Sequence, residues 1–144
     1  MLRSKLFAVL TVVLFIFGIA IVGLAQEQKA KTVKLPSGEE VVDISGEWDA
    51  QIEDYGPWRG WGDFSNILKI TLEGNSFVGI RMKNDLYYNS GTEAIRGELD
   101  KNGIKNVRIP TNLGTLDAKG KISEDGKKIV IDDGEKCRYT LIRK

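Results

Sequence analysis

The chain has 144 residues, with 21 Lys and Arg against 20 Asp and Glu, no His and one Cys. The absence of His excludes a Ser-His-Asp triad, a Cys-His dyad and His-ligated zinc, and a lone Cys excludes an intrachain disulfide. A net charge of +1 gives no reason to expect a nucleic-acid partner, and the length suits one domain. We therefore expect a binding or structural module with no cofactor and no metal ion.

The N-terminal segment has the layout of an export signal. Arg3 and Lys5 form a short positive region, and residues 6–25 carry no charge. Gly23 and Ala25 are small residues placed two apart, which predicts a secretory signal peptide cleaved after Ala25. Because about 20 apolar residues can also cross a bilayer, an uncleaved membrane anchor is the alternative. Both interpretations export the rest of the chain to the periplasm or the extracellular space.

The segment that follows, residues 26–44, is polar at first and then carries a Pro-Ser-Gly turn. We interpret it as a polar linker and an extended lead-in to the folded domain. The predicted organisation is a signal peptide or membrane anchor at 1–25, this linker at 26–44 and a β-domain at 45–144. In an exported domain, the lone Cys137 is either a small buried hydrophobic residue or the site of an intermolecular disulfide.

From residue 45 onward, apolar and polar residues alternate with a period of two, which predicts β-strands with one buried face. The pattern gives eight short strands, with tight turns at 73–76, 100–103 and 123–126. Short connections favour antiparallel pairing, and eight sequential strands can close on themselves and so lose their edges. The predicted fold is all-β, an eight-stranded antiparallel up-and-down (meander) barrel after the N-terminal signal or anchor helix. An open sandwich is the alternative.

The alternation also predicts the side chains that face the barrel interior, none of them charged. They are Trp48, Ala50, Ile52, Leu68, Ile70, Leu72, Val78, Ile80, Met82, Ile95, Leu99, Val107, Ile109, Leu116, Ala118, Ile122, Ile129, Ile131, Tyr139 and Leu141. An eight-stranded barrel is either filled by its side chains or holds one small ligand. The interior is therefore a packed core or an apolar cavity, for which Ala50, Gly97, Ala118 and Gly120 leave room.

Two long connections, 54–64 and 85–92, fall at the same end of the barrel, because alternate connections of a meander share an end. Most aromatic residues outside the signal segment lie in these loops, although loops usually carry polar residues. This predicts either an aromatic rim or lid over a ligand pocket, or a plug that closes the barrel. The predicted ligand-binding residues are Tyr55, Trp58, Arg59, Trp61, Phe64, Tyr87 and Tyr88.

The functional expectation is an exported β-barrel that binds a small apolar or amphipathic molecule at the aromatic-loop end. The alternative is a filled barrel whose loops dock on an envelope protein or stack on sugar rings. A hydrolase would need Asp54 and Asp63 as acid–base groups, with Arg59 between them, but nothing in their spacing demands this. We therefore expect no enzymatic activity, and contact with a membrane only through residues 6–25 if these are uncleaved.

The first predicted strand opens with Gly46-Glu47-Trp48, which resembles the Gly-x-Trp that begins the first strand of lipocalins and related calycin barrels, including avidin-like proteins. Phe77-x-Gly79 after the first tight turn is similar to the early hairpin of avidin-like barrels. The resemblance covers about residues 45–143 and implies a small lipocalin-like barrel with ligand entry at one end. Ala50 stands where avidin-like proteins carry a biotin-contacting Asn, which argues against biotin.

The resemblance also implies structural roles for residues near the closed end of the barrel. Gly46 and Trp48 would begin the first strand there, and an Arg from the last strands would cover the Trp ring. Arg143 or Arg138 would take that part, since both lie in the last predicted strand.

Overall fold

The computed structural model describes residues 29–144, so the predicted signal or anchor at 1–25 lies outside the described residues. Within that range, no helix is long and apolar enough to cross a membrane. The strands are β1 (Thr32–Lys34), β2 (Glu40–Val42), β3 (Gly46–Asp54), β4 (Asp63–Glu73), β5 (Ser76–Arg81), β6 (Glu93–Asp100), β7 (Gly103–Thr111), β8 (Gly114–Ile122), β9 (Lys128–Asp132) and β10 (Cys137–Arg143), and a 3₁₀ helix spans Gly56–Trp61.

Strands β3 to β10 form one closed barrel in which each strand pairs antiparallel with the next along the chain. The barrel closes where β10 pairs with β3, so that Arg143 lies opposite Trp48 and Cys137 lies opposite Asp54. This confirms the predicted eight-stranded meander barrel and excludes the open sandwich. The architecture is consistent with a calycin-like fold.

A two-stranded hairpin, β1–β2, precedes the barrel and was not predicted. Its strands have three residues each, too few to show an alternating pattern. Leu35, Val41 and Ile44 from this segment are buried in the same cluster as Trp48 of the barrel. Part of the predicted linker and lead-in therefore covers one end of the barrel with apolar side chains, and we call this the closed end.

The predicted interior is confirmed on most strands. The buried members are Trp48, Ala50, Ile52, Leu68, Ile70, Ile95, Leu99, Val107, Ile109, Ile129, Ile131, Tyr139 and Leu141. Four others pack against this core while partly buried: Leu72, Leu116, Ala118 and Ile122. Cys137 is also buried, with a free thiol, as its interpretation as a small hydrophobic residue predicts.

On β5 the predicted face is wrong. Phe77 and Arg81 are each 1% exposed, whereas Met82, predicted inside, is 43% exposed. Val78 and Ile80 are half-buried on the outer side of the strand. The prediction that no inward residue is charged fails with Arg81. The strand carries apolar residues on both faces, so hydrophobicity alone does not fix its orientation.

Gly97 and Gly120 do not leave the open space that the cavity interpretation expected inside the barrel. A Cβ atom on Gly97 would lie 2.8 Å from Cε1 of Phe77, and one on Gly120 would lie 2.6 Å from Cγ2 of Ile104. Neighbouring side chains therefore occupy the space that these glycines leave. The interior is closely packed around both glycines.

We expect Gly97→Ala to lower the free energy of unfolding by about 1–3 kcal/mol, because the added methyl group would overlap the Phe77 ring and the Lys105 carbonyl. Urea unfolding followed by Trp fluorescence measures the change. Gly60→Ala is the matched control, since a Cβ atom there meets nothing within 4 Å, and its effect should stay below about 0.5 kcal/mol. Equal effects at the two positions would contradict this packing.

The closed end is fastened by Arg143. Its guanidinium carbon lies 4.3 Å from the centroid of the Trp48 ring. Its Nη1 donates to the carbonyl of Ser45 at 3.0 Å, its Nε donates to the carbonyl of Gly126 at 3.2 Å, and its Nη2 donates to the carbonyl of Asp43. The Arg cover implied by the resemblance is thus provided by Arg143. Arg138 instead pairs with Asp132, with 2.7 Å between Nε and Oδ2.

Candidate functional site

A cavity of about 200 Å³ lies at the other end of the barrel, which we call the aromatic end. Side chains of the β3–β4 and β5–β6 loops line it together with the ends of the strands beneath. Five of the seven predicted ligand-binding residues are among the lining residues: Trp58, Trp61, Phe64, Tyr87 and Tyr88. The others are Ile52, Asp54, Ile109, Thr111, Asn112, Leu113, Cys137 and Tyr139.

Four aromatic side chains of this end contact one another in a continuous chain, three from the loops and Phe64 from the start of β4. Trp58 and Trp61 stack with ring centroids 5.0 Å apart, Trp61 lies 6.1 Å from Tyr87, and Tyr87 meets Phe64 edge-on at 5.5 Å. Trp58 and Phe64 pack against the core, whereas Trp61 and Tyr87 are 43% and 40% exposed. The rings therefore combine the predicted plug and the predicted rim. Trp58 and Phe64 pack on the core as part of a plug, and Trp61 and Tyr87 form the exposed rim.

The path of the β3–β4 loop depends on two glycines. Gly56 has φ 53°, and a Cβ atom there would lie 2.2 Å from the carbonyl oxygen of Glu135. Pro57 then occupies the first turn of the 3₁₀ helix, where its missing N–H costs nothing. Gly62, at φ 81°, ends the helix and returns the chain to β4. These residues bring Trp58 and Trp61 over the barrel mouth.

Direct contacts hold the loops of the aromatic end together. The Tyr87 hydroxyl donates to the carbonyl of Trp61 at 2.6 Å, which joins the β5–β6 loop to the β3–β4 loop. The Asn112 side chain donates to the carbonyl of Tyr87 at 3.4 Å, and the Tyr55 N–H donates to the carbonyl of Lys136 at 2.8 Å. The predicted placement of the connections 54–64 and 85–92 at the same end of the barrel is confirmed.

A buried polar cluster supports the cavity from below. Arg81 stacks on the Tyr88 ring at 3.9 Å from its centroid and donates from Nη2 to the Tyr139 hydroxyl at 3.1 Å. Its Nη1 donates to the carbonyl of Glu93 at 2.7 Å, and its Nε lies 3.5 Å from Oδ2 of Asp85. Arg81 thus positions two of the tyrosines that line the cavity.

Asp85 connects this cluster to the β5–β6 loop. Its carboxylate accepts the N–H groups of Tyr87 at 3.0 Å and Tyr88 at 2.9 Å, and the side-chain amide of Asn66 at 2.9 Å. The buried acid is therefore satisfied by hydrogen bonds and by one cation, Arg81. The arrangement fixes the backbone of the loop, and with it the two tyrosine rings.

Asp54 and Cys137 form another part of the cavity wall, opposite each other on β3 and β10. Asp54 is 7% exposed and Cys137 is 3% exposed. Burial raises the pKa of Asp54, a hydrogen bond from the Cys137 thiol opposes the rise, and the negative charge of Asp63 adds to it. Burial together with the nearby acids raises the pKa of Cys137 to about 12, so the sulfur stays a thiol at neutral pH.

Two of the three tyrosines of the wall, Tyr88 and Tyr139, are neutral at neutral pH. Burial raises the pKa of Tyr88, although the Asn112 N–H and the Arg81 charge oppose the rise. Burial also raises the pKa of Tyr139, again against the charge of Arg81. Within residues 29–144, no group of three or more Cys, Asp or Glu side chains is placed to hold a metal ion.

Two predicted site residues lie outside the cavity lining. The Tyr55 hydroxyl donates to Oδ1 of Asp132, and Arg138 lies 5.5 Å from the Tyr55 ring centroid. This contact fastens the start of the β3–β4 loop to the end of β9. Arg59 is exposed on the 3₁₀ helix, where its carbonyl accepts the N–H of Gly62 at 3.4 Å.

The site prediction did not include the polar members of the wall. Asp54 was considered only as an acid–base candidate with Asp63, and Cys137 only as a buried hydrophobic residue or the site of an intermolecular disulfide. The alternation of β3 places residues 48, 50 and 52 inside, and one further step reaches Asp54. The same step backwards from Tyr139 on β10 reaches Cys137. On β7, one further step from Ile109 likewise reaches Thr111, whereas Asn112 and Leu113 belong to the short β7–β8 turn and carry no such signal.

Comparison with known proteins adds no relative: no protein-family model, no curated protein and no solved structure matches the chain. The fold and the site together therefore define its class. It is a closed eight-stranded antiparallel β-barrel with one end covered by a hairpin and a small aromatic-lined cavity at the other.

Proposed function

We propose that the protein is an exported, lipocalin-like carrier that binds a small apolar or amphipathic molecule in the cavity at the aromatic end. The cavity supports this most directly, because rings from two loops converge there above apolar strand ends. From the pattern of residues 1–25 we also propose that the protein is exported to the periplasm or the extracellular space, with or without an N-terminal membrane tether. The proposed activity is binding without catalysis and without a cofactor.

The size of the cavity limits the ligand. Drug-sized ligands occupy pockets of about 300–1,000 Å³, whereas an apolar cavity of about 150 Å³ holds benzene. A cavity of about 200 Å³ therefore suits a molecule with one ring or a short branched chain. A longer ligand would project from the mouth past the exposed rings of Trp61 and Tyr87.

Benzyl alcohol is a neutral single-ring probe of this size. We expect it to bind the protein, and the double variant Trp58→Ala with Trp61→Ala to bind it at least about tenfold more weakly. The variant loses two stacked aromatic faces, each contributing about 0.5–1.5 kcal/mol beyond the buried area. Chemical-shift titration of the labelled protein gives both dissociation constants.

The control for this titration is Ile142→Ala. Ile142 is 46% exposed and is not among the residues that line the cavity, so its replacement should leave the dissociation constant unchanged. If the Trp double variant also binds benzyl alcohol as tightly as the parent protein, the assignment of the mouth is wrong.

An interaction module is the second candidate, and the exposed rim favours it. Around the cavity mouth, Leu86 is 73% exposed and Leu113 is 67% exposed, beside the outer rings of Trp61 and Tyr87. Exposed aromatic and aliphatic side chains anchor protein or glycan partners. Failure of benzyl alcohol to bind, with retention on immobilised envelope glycan that Leu86→Ser abolishes, would favour this candidate over the carrier.

A further inference from the structure

We propose that the molecule bound in the aromatic cavity carries an organic ammonium group that pairs with the carboxylate of Asp54. This inference rests on the proposed binding function and names the chemical class of its ligand. It follows from the position of one acid, the composition of the wall and the charges around it.

Asp54 is a buried acid without a cation of its own. Within residues 29–144, no Lys or Arg nitrogen lies within 4.0 Å of its carboxylate, and its neighbours there are the Cys137 thiol and the like charge of Asp63. The two other buried acids do have cations: Asp85 pairs with Arg81 at 3.5 Å, and Asp43 pairs with Lys31 at 3.5 Å.

Burying an unpaired charge is costly, so such a group normally has a partner. Since Asp54 lines the cavity, a cation in the cavity would lie within reach of it. A bound ammonium group would supply both the opposite charge and the N–H donors that the carboxylate lacks.

The remaining wall suits the same kind of ligand. No Lys or Arg is among the lining residues, and Cys137, Tyr88 and Tyr139 are uncharged at neutral pH. Arg81 lies beneath the wall, but its charge is offset by Asp85. Asp54 is thus the one acid among the described lining residues, with Asp63 nearby, and these carboxylates favour cations over anions in the cavity.

The aromatic rings favour a cation as well. The faces of Trp and Tyr rings attract ammonium groups within about 6 Å of the ring centroid. Tyr88 already accepts one such contact, from Arg81 at 3.9 Å. A wall of Trp58, Trp61 and Tyr87 with one carboxylate therefore offers an apolar surface for a ring or chain and an anchor for a charged end.

Benzylamine and benzyl alcohol test the proposal, because they share size and ring and differ in charge at neutral pH. We expect the parent protein to bind benzylamine at least about tenfold more tightly than benzyl alcohol, as for a charged hydrogen-bonded pair. In Asp54→Asn this preference should disappear, while benzyl alcohol binds within about twofold of its parent affinity. Benzoate should bind more weakly than either probe.

Glu53→Gln is the matched control. Glu53 precedes Asp54 in the chain and carries the same charge, but its side chain is exposed and faces Arg138. The variant should keep the preference for benzylamine. Thermal unfolding of Asp54→Asn checks its fold, and we expect a melting temperature equal to or above that of the parent, because the raised pKa of Asp54 means that its ionised form opposes folding.

The outcomes separate the two proposals. Equal affinities for benzylamine and benzyl alcohol in the parent protein would overturn the ammonium inference and leave the carrier function standing. A preference that survives Asp54→Asn, or that Glu53→Gln also removes, would overturn the assignment to Asp54. Binding of neither probe would overturn the proposed function itself.

Discussion

Replacing Arg81 with Ala should lower the free energy of unfolding by about 3–5 kcal/mol, because it removes one partner of a buried ion pair. The Arg81 and Asp85 side chains are 1% and 2% exposed, with 3.5 Å between Nε and Oδ2. Without the guanidinium group, Asp85 keeps its hydrogen bonds but loses its cation, and the Tyr139 hydroxyl and the Glu93 carbonyl lose their donors. Urea unfolding at neutral pH measures the loss.

Arg96→Ala is the control for charge removal from the same part of the barrel. Arg96 also pairs with an acid, Glu93, at 3.1 Å, but its side chain is 52% exposed, so its loss should cost less than about 1 kcal/mol. Equal effects of Arg81→Ala and Arg96→Ala would contradict the buried-pair interpretation. The double variant Arg81→Met with Asp85→Asn should recover part of the loss, because it leaves no uncompensated charge inside.

The same cluster links stability to the site. Arg81 contacts Tyr88 and Tyr139, and Asp85 holds the backbone of Tyr87 and Tyr88. The cavity wall is therefore built on a buried charge pair instead of on apolar packing alone. This gives the tyrosine rings fixed positions, which a binding site needs if the ligand is to meet preorganised groups.

The strands and their order were predictable because each barrel strand has one face in the core and one face in solvent. On β3 apolar and polar residues alternate from Trp48 to Glu53, and buried and exposed positions alternate with them as far as Asp54. The tight turns at 100–103 and 123–126 carry an Asn-Gly and an Asp-Gly pair, which favour hairpins, so we expected neighbouring strands to pair in sequence. Alternation and turn chemistry together leave the closed meander as the simplest architecture.

The orientation of β5 was not predictable in the same way. Val78 and Ile80 are as apolar as Phe77, so the pattern allows either face to point inward. Contacts with residues outside the strand determine which face of β5 points inward. Phe77 fills the space at Gly97, and Arg81 donates a hydrogen bond to Tyr139 and pairs with Asp85. A sequence read strand by strand does not show that a buried Arg will meet these partners.

The candidate site was predictable in its location and only partly in its members. The concentration of rings in two loops of one barrel end indicated where to look, and five of those side chains line the cavity. The direction of each loop side chain depends on the turn at Gly56 and on the contact of Tyr55 with Asp132, which the sequence does not reveal. Asp54 was the first residue of the predicted 54–64 connection, but the predicted binding residues in it were the aromatic side chains and Arg59.

At the closed end, Trp48→Ala should lower the free energy of unfolding by about 3–5 kcal/mol, the cost typical of removing a fully buried large aromatic side chain. Trp48 is 0% exposed, and its indole Nε1 donates to the carbonyl of Ile44 at 2.9 Å. The change would also remove the surface on which Arg143 lies. Denaturant unfolding followed by circular dichroism measures the loss, and Trp61→Ala, at a 43% exposed ring, should cost less than about 1 kcal/mol.

If Trp48→Ala does not fold, Trp48→Phe keeps most of the ring and should still lose about 1–2 kcal/mol with the hydrogen bond to Ile44. A double-mutant cycle with Arg143→Ala then separates the two roles of Arg143. Its bonds to the carbonyls of Ser45 and Gly126 do not involve the Trp, whereas its contact with the ring does. A coupling energy of about 0.5 kcal/mol or more is expected if the guanidinium group covers the ring, and strict additivity would mean that Arg143 acts through the carbonyls alone.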